Sequence, residues 1–201
     1  MCIRDSYKMA GIAIGVDNFY YAEVLTDSSA GFTTGEIKRV KFLNEISIEP
    51  AQETAKAYGD NQTAAMAVSN GDLELSTTFV TVPHEDRAVL AGATVEDGAV
   101  RYHKDDVPPD VAIVWERTNH DGSSEWFACY KGKFMRASIA GKTKEDSYEF
   151  QNAEMSGSFI PREADGFTHG SYYDEKGQTT GRDKAFQDAF GKAFPTDDLA
   201  A

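Results

Sequence analysis

The amino-acid sequence predicts a mainly β protein, an antiparallel β-sandwich with one flanking α-helix and a long extended arm. Three observations lead there. Leu73, Leu75, Thr77, Phe79 and Thr81 fall on one face of a segment whose other face carries Glu74, Ser76, Thr78, Val80 and Val82, the two-residue period of a half-buried strand. Segments of the same kind recur at 37–48, 99–103, 111–117, 124–130, 133–140 and 147–160, parted by turn residues at short intervals. Between two of these strands lies Glu49 to Gly71, rich in Ala, Gln, Thr and Asn. Structureless loops of that length are uncommon inside a compact domain, so this arm is either a functional excursion or contains a further strand.

The elements follow in order. Val111 to Arg117 and Glu125 to Tyr130 flank Asn119-His120-Asp121-Gly122, where Asp-Gly supplies the positive φ angles of a tight connection, and a β-hairpin is expected. A second hairpin joins Lys133 to Ile139 with Tyr148 to Ile160 through the charged stretch Gly141 to Asp146. One helix follows the strand ending at Val82: Pro83 suits the first helical position, Glu85 and Asp86 complement the positive end of the helix dipole, and Gly92 can cap its end. Val89 and Leu90 would dock it on the sheet. A second helical stretch spans Arg182 to Phe190, with Phe186 and Phe190 four residues apart on one face.

The 201 residues suffice for one core without metals or disulfides. Met1 to Lys8 read as a non-native leader with Met9 as the natural start, 9–166 as the β-sandwich domain, and 167–201 as a C-terminal extension whose role the residues leave open. Without Cys2, Cys129 stands alone in the aromatic strand Trp126-Phe127-Ala128-Cys129-Tyr130, which excludes a disulfide framework and suits a small core residue. No stretch reaches the roughly 18–20 apolar residues of a membrane-spanning helix. A net charge of −13, from 33 acidic and 20 basic residues, opposes the balance with which proteins grip phosphates. It permits a smooth repulsive wall around DNA.

Chemistry-bearing patterns are few. His84, His103, His120 and His169 lack metal-ligand spacing. Asp105, Asp106 and Asp110 surround Val107-Pro108-Pro109 without the spacing of a calcium loop, and read as a solvated turn. Asp121 and Glu125 bracket the hairpin and do not form a glycosidase pair. Nucleophile-elbow, phosphate-loop and dinucleotide motifs are missing from the sequence. The residues thus point to no catalytic, cofactor-binding or metal site. The many aromatic residues would need a basic groove beside them to stack single-stranded nucleic acid, and the acidity favours a core and subunit contacts instead.

Several stretches, in order, are similar to one family. They are Ile14-Gly15-Val16-Asp17-Asn18-Phe19-Tyr20-Tyr21-Ala22, read as a glycine turn entering an aromatic strand; Ala57-Tyr58-Gly59-Asp60-Asn61 in the arm; Asp106 to Ala112; Tyr130 to Phe134; Lys142-Thr143-Lys144; Tyr148 to Gln151; and Gly157 to Arg162. Their succession resembles the major tail proteins of siphophages over Met9 to about Gly166. The resemblance implies a structural virion protein of the tail, assembled in the host bacterial cytoplasm. Its subunits would form hexameric rings that stack as a tube around DNA during ejection. The implied partners are further copies of the chain, the tape-measure and tail-terminator proteins, and double-stranded DNA in passage, with no membrane, no cofactor and no catalytic residues.

On this reading Tyr58, Gly59, Asp60 and Asn61 are candidate interface residues of the arm, and Glu74, Glu149 and Glu154 candidate lumen-facing acids. Two other readings stay open. One is a binding module for carbohydrate or protein at a cell surface, with Trp115 and Trp126 as exposed stacking groups. The other is a tail-terminator or head-completion protein that forms a single ring.

Overall fold

The computed structural model describes residues 11–59, 62–137 and 152–195. Eleven strands and two helices run along them: β1 (Ala13–Ser28), β2 (Gly31–Thr34), β3 (Lys38–Val40), β4 (Leu43–Gly59), β5 (Gln62–Phe79), α1 (His84–Leu90), β6 (Thr94–Glu96), β7 (Ala99–Arg101), β8 (Val111–Asn119), β9 (Ser124–Phe134), β10 (Ala153–Phe159), β11 (His169–Asp174) and α2 (Thr180–Phe190). Nine of the strands form one antiparallel sheet in the order β2-β1-β8-β9-β10-β5-β4, with β3 also on β1 and β11 also on β9, while β6 and β7 pair separately. The mainly β, antiparallel expectation holds.

Two strands turn the sheet back on itself. β9 pairs through Ser124–Cys129 with β11 and through Gly132–Phe134 with β10. Gly132 allows that passage, since a Cβ there would sit 2.4 Å from the Phe159 ring. On the other side the chain pairs with β1 as β3, then with β5 as β4. The single strand expected over 37–48 is therefore two, because the chain changes partner at Lys41-Phe42 and Phe42 takes a φ of 67° there. A bulky residue in the left-handed region costs on the order of 1–3 kcal/mol.

The folded-over sheet encloses a core of Phe19 and Tyr21 from β1, Val111, Ile113 and Trp115 from β8, Leu73, Leu75 and Phe79 from β5, and Met155 and Phe159 from β10. The expected alternation in β5 is present as far as Phe79. The strand stops there, so Thr81 is exposed and Val82 turns into the core, the reverse of the expected faces. α1 follows the strand as expected, but Pro83 is its N-cap, with a ψ of 144°, and His84 takes the first helical position; the helix ends in a Schellman turn in which Ala93 N–H donates to Ala88 O and Gly92 N–H to Val89 O. Gly92 has a φ of 67°, and a Cβ would lie 2.4 Å from Val107 O. Tyr21 Oη donates to Asp86 and ties α1 to β1.

A second core lies on the opposite face of β1, β8 and β9. Tyr20, Val114, Trp126 and Ala128 meet Ala185, Phe186, Ala189 and Phe190 of α2. The helical stretch expected at 182–190 thus exists, and the chain has two flanking helices where one was expected. The segment after Gly166 supplies both β11 and α2. Asp174, at the end of β11, accepts the N–H groups of Gly181 and Arg182 at 2.7 and 2.8 Å and so caps α2 from outside the helix. Gly191 closes the other end with a φ of 66°. Arg162 lies between the Phe32 and Tyr130 rings, pairs with Asp165 and donates to Asp188 O in α2.

The Asp-Gly hairpin is present as β8 and β9, with Gly122 at a φ of 80°. The second expected hairpin is present where Gly132–Phe134 pairs with Gly157–Phe159. Its first strand is the tail of β9 and ends at Phe134, not at 140, because the chain leaves the pairing after Met135 N–H bonds Ser156 O. Residues 138–151, with the loop at 141–146, lie outside the described residues. The strand at 99–103 is the short β7, joined to β6 by Asp97-Gly98. The glycine turn expected before the first aromatic strand is absent: Gly15 lies within β1, whose register against β8 shifts between Ala13 and Gly15 and again between Asp17 and Tyr20, with Asn18 at a φ of 52°.

Two stability predictions follow from the helix cap and the buried ion pairs. Asp174→Ala removes two hydrogen bonds from the α2 terminus and should cost about 1–2 kcal/mol in thermal or denaturant unfolding; an unchanged midpoint would show that the cap is idle. Asp27 accepts from Lys131 Nζ at 2.7 Å and from the N–H groups of Glu163 and Ala164. Burial alone would raise its carboxyl, but Lys131 and the two amides outweigh burial and hold it below the usual carboxylate range. Arg162 does the same for Asp165. A lowered folded value means stabilisation that is complete above the usual range and is lost as pH falls through it. Thermal melts from about pH 6 to about pH 2 should therefore fall steeply for the natural chain, and less steeply for Asp27→Asn.

Candidate functional site

The outward face of β4, β5 and β10 carries a pattern of acids and hydroxyls. Three rows cross it by register: Glu45, Thr78 and Glu154; Ser47, Ser76 and Ser156; Glu49, Glu74 and Ser158. The inward neighbours Leu75, Phe79 and Met155 anchor these strands in the core. Two-residue alternation then sends the acids and hydroxyls outward. Asp72 continues the β5 column. Glu45, Glu49, Glu74 and Glu154 are all exposed. Over Leu43–Pro50, Leu73–Phe79 and Ala153–Phe159, the stretches of these strands that make up the face, the sequence holds no Lys or Arg. At the border Lys133 stands across from Ser158, with its ammonium 3.6 Å from the Asp110 carboxylate. A groove of about 360 Å³ runs over this face, bordered by Met135 and floored by Ser47, Ser76, Ser156 and Ser158.

Glu49 and Glu74 are direct cross-strand partners. Like charges placed so oppose strand pairing, by a few tenths of a kcal/mol up to about 1 kcal/mol. Serving only the fold, either position would do better as Lys or Thr. Sequence reasoning singled out Glu74 and Glu154, and the structure brings both to this face. It missed Glu45 and Glu49, although Glu45-Ile46-Ser47-Ile48-Glu49 alternates acid or hydroxyl with isoleucine and carried the signal. Glu149 lies outside the described residues.

The arm is a two-stranded ribbon. β4 and β5 stay paired from Gln52 with Asn70 to Gly59 with Gln62, whereas β10 accompanies β5 only over Leu73–Phe79. The ribbon therefore extends past the edge of the sheet that carries it. Of the candidate interface residues, Tyr58 and Gly59 lie at its end, and Asp60 and Asn61 lie outside the described residues.

Other candidates resolve into structural roles. Trp115 and Trp126 are 3% and 4% exposed, stacked on Phe127 and set edge-on to Phe186. They are core residues and cannot serve as exposed stacking groups, which removes the support for the cell-surface binding reading. Cys129 is fully buried, and burial pushes its thiol well above the usual range. Asp121 accepts from the N–H and hydroxyl of Ser123 and shapes the hairpin turn, while Glu125 pairs with Arg117. Asp106 accepts from His103 N–H, and His120 Nδ1 accepts from Ile12 N–H. A second cavity of about 230 Å³ beside α2 contains Glu116, whose oxygens are taken by Asn18 and Ser124. No group of three His, Cys, Asp or Glu side chains among the described residues could hold a metal ion, and no helix among them is long and apolar enough to cross a membrane.

The described residues thus form a folded-over antiparallel sheet with one hydroxyl-and-acid face and a projecting ribbon. A family profile described as phage tail tube protein matches residues 46–194, and the chain belongs to that family of structural virion proteins. The match begins within β4, includes the arm and the acidic face apart from Glu45, and runs through α2. No curated protein matches the chain in sequence.

Proposed function

We propose that this tail tube protein oligomerises into rings, hexameric by the family resemblance, which stack into a tube, and that the β4-β5-β10 face lines the bore through which DNA is ejected. The observation that carries the reading is the acidic, hydroxyl-rich face that keeps Glu49 opposite Glu74. A basic patch binds DNA non-specifically with dissociation constants of roughly 10⁻⁴ to 10⁻⁶ M at physiological salt, or about 5–8 kcal/mol. Repeated around every ring, such attraction would hold the genome fast. A wall of carboxylates and hydroxyls repels the phosphates and leaves DNA free to slide. α2 covers the far side of the sheet and would then face outward.

The arm supports the assembly half of the proposal. A ribbon that extends past its own sheet has faces and edges for a neighbouring subunit to cover, and joining exposed strands removes edges that would otherwise invite uncontrolled pairing. The tape-measure protein inside the bore and the terminator at the tube end complete the set of partners. Assembly takes place in the host cytoplasm. Negative-stain electron microscopy of the purified protein should show tubes; isolated single rings would instead support the tail-terminator reading.

Two experiments test the parts separately. Replacing residues 51–70 with a short Gly-Ser turn should leave a folded monomer, and sedimentation of that variant as polymer would show that the arm is not the assembly element. Changing Glu74, Glu149 and Glu154 to Lys in assembled tubes should retain DNA and slow its ejection from reconstituted particles, most strongly at low salt where attraction is least screened. Unchanged ejection at low salt would place these carboxylates away from the DNA.

A further inference from the structure

Among the described residues, three other than glycine hold a positive φ: Asn18, Phe42 and Asp97. Asn and Asp are the types that tolerate the left-handed region, and Asp97 sits in an Asp-Gly turn. Phe42 is the exception. Its ring does not offset that backbone by packing inside the subunit, because the residue is 65% exposed. Beside it Val80, 44% exposed, donates its N–H to Phe42 O at 3.0 Å. The two make an apolar pair at the base of the β4-β5 hairpin, where Leu43 pairs with Phe79. The arm occupies the opposite end of the same two strands.

We infer that Phe42, with Val80 beside it, is an anchor that docks against a second copy of this chain stacked head to tail along the strand direction. The inference rests on the reading of the protein as a tube subunit. Strained backbone is kept where the surroundings or a function demand it, and glycine would make this corner without strain. What phenylalanine adds over glycine is an aromatic ring held in water, the type of group enriched where protein surfaces meet. The geometry indicates the occupant. Leu43–Pro50 within the body and Gln52–Gly59 within the arm are stretches of eight residues each, about 26 Å at roughly 3.3 Å per residue. The arm of one copy thus has the length to run along the body of the next, entering at its Phe42 end. Such a contact joins unlike surfaces and propagates from copy to copy.

Phe42→Gly tests the inference, since it removes the ring and relieves the backbone together. The variant subunit should melt at the natural temperature or above it. Its assembly concentration, read by sedimentation and electron microscopy, should rise about tenfold or more, the effect of no longer burying one aromatic side chain. Val80→Ser should raise that concentration as well, and Phe42→Tyr should leave it unchanged. A Phe42→Gly variant that assembles like the natural chain, or that melts lower, overturns the anchor and leaves the tube reading standing. A natural chain that forms neither tubes nor rings overturns both.

Discussion

Phe186 meets Tyr20 edge-on at 5.0 Å and Trp126 at 6.0 Å, and through these contacts α2 takes the outer face of β1, β8 and β9 out of water. The inner face of the same strands already packs on β5 and β10. Val111 to Trp115 are therefore buried at every position, a continuous run instead of an alternating one. Each fully buried side chain of this kind contributes about 1.5–3 kcal/mol, and each aromatic pair about 0.5–1.5 kcal/mol beyond its area. With one layer dry on both sides, the β4-β5-β10 layer is left as the broad sheet face open to solvent.

That remaining face is where the molecule departs from what folding alone would select. Glu49 opposite Glu74 works against strand pairing, and Phe42 works against backbone preference. Both are small penalties against the total burial, and the dry layer behind them makes both tolerable. They lie on the same hairpin, β4-β5, which also carries the arm. The features that a stable monomer does not require are thus concentrated in one supersecondary unit, the unit we propose for bore and assembly.

The β8-β9 hairpin was legible because Asp121-Gly122 encodes its turn locally, and α2 because Phe186 and Phe190 share a helical face. The arm was legible as an anomaly but not as paired strands, since Ala, Gln and Asn carry little strand preference and its pairing is purely cross-strand. The break at Phe42 was hidden, because nothing in Val40-Lys41-Phe42-Leu43 announces left-handed backbone. Trp126 was ambiguous for the same reason that α2 matters: only a helix some 60 residues further along the chain decides whether that face is wet. The continuous run Val111-Ala112-Ile113-Val114-Trp115 was the one local hint that both faces are covered.

Asp174 ends the last strand of the sheet and caps the helix that seals it, so β11 and α2 form a single closing unit. Until that unit has emerged from the ribosome, a nascent subunit displays Tyr20, Val114 and Trp126 to water and leaves the Ser124–Cys129 edge of β9 without its β11 partner. The layer that stiffens the subunit is thus completed only by β11 and α2, which follow every other described strand along the chain.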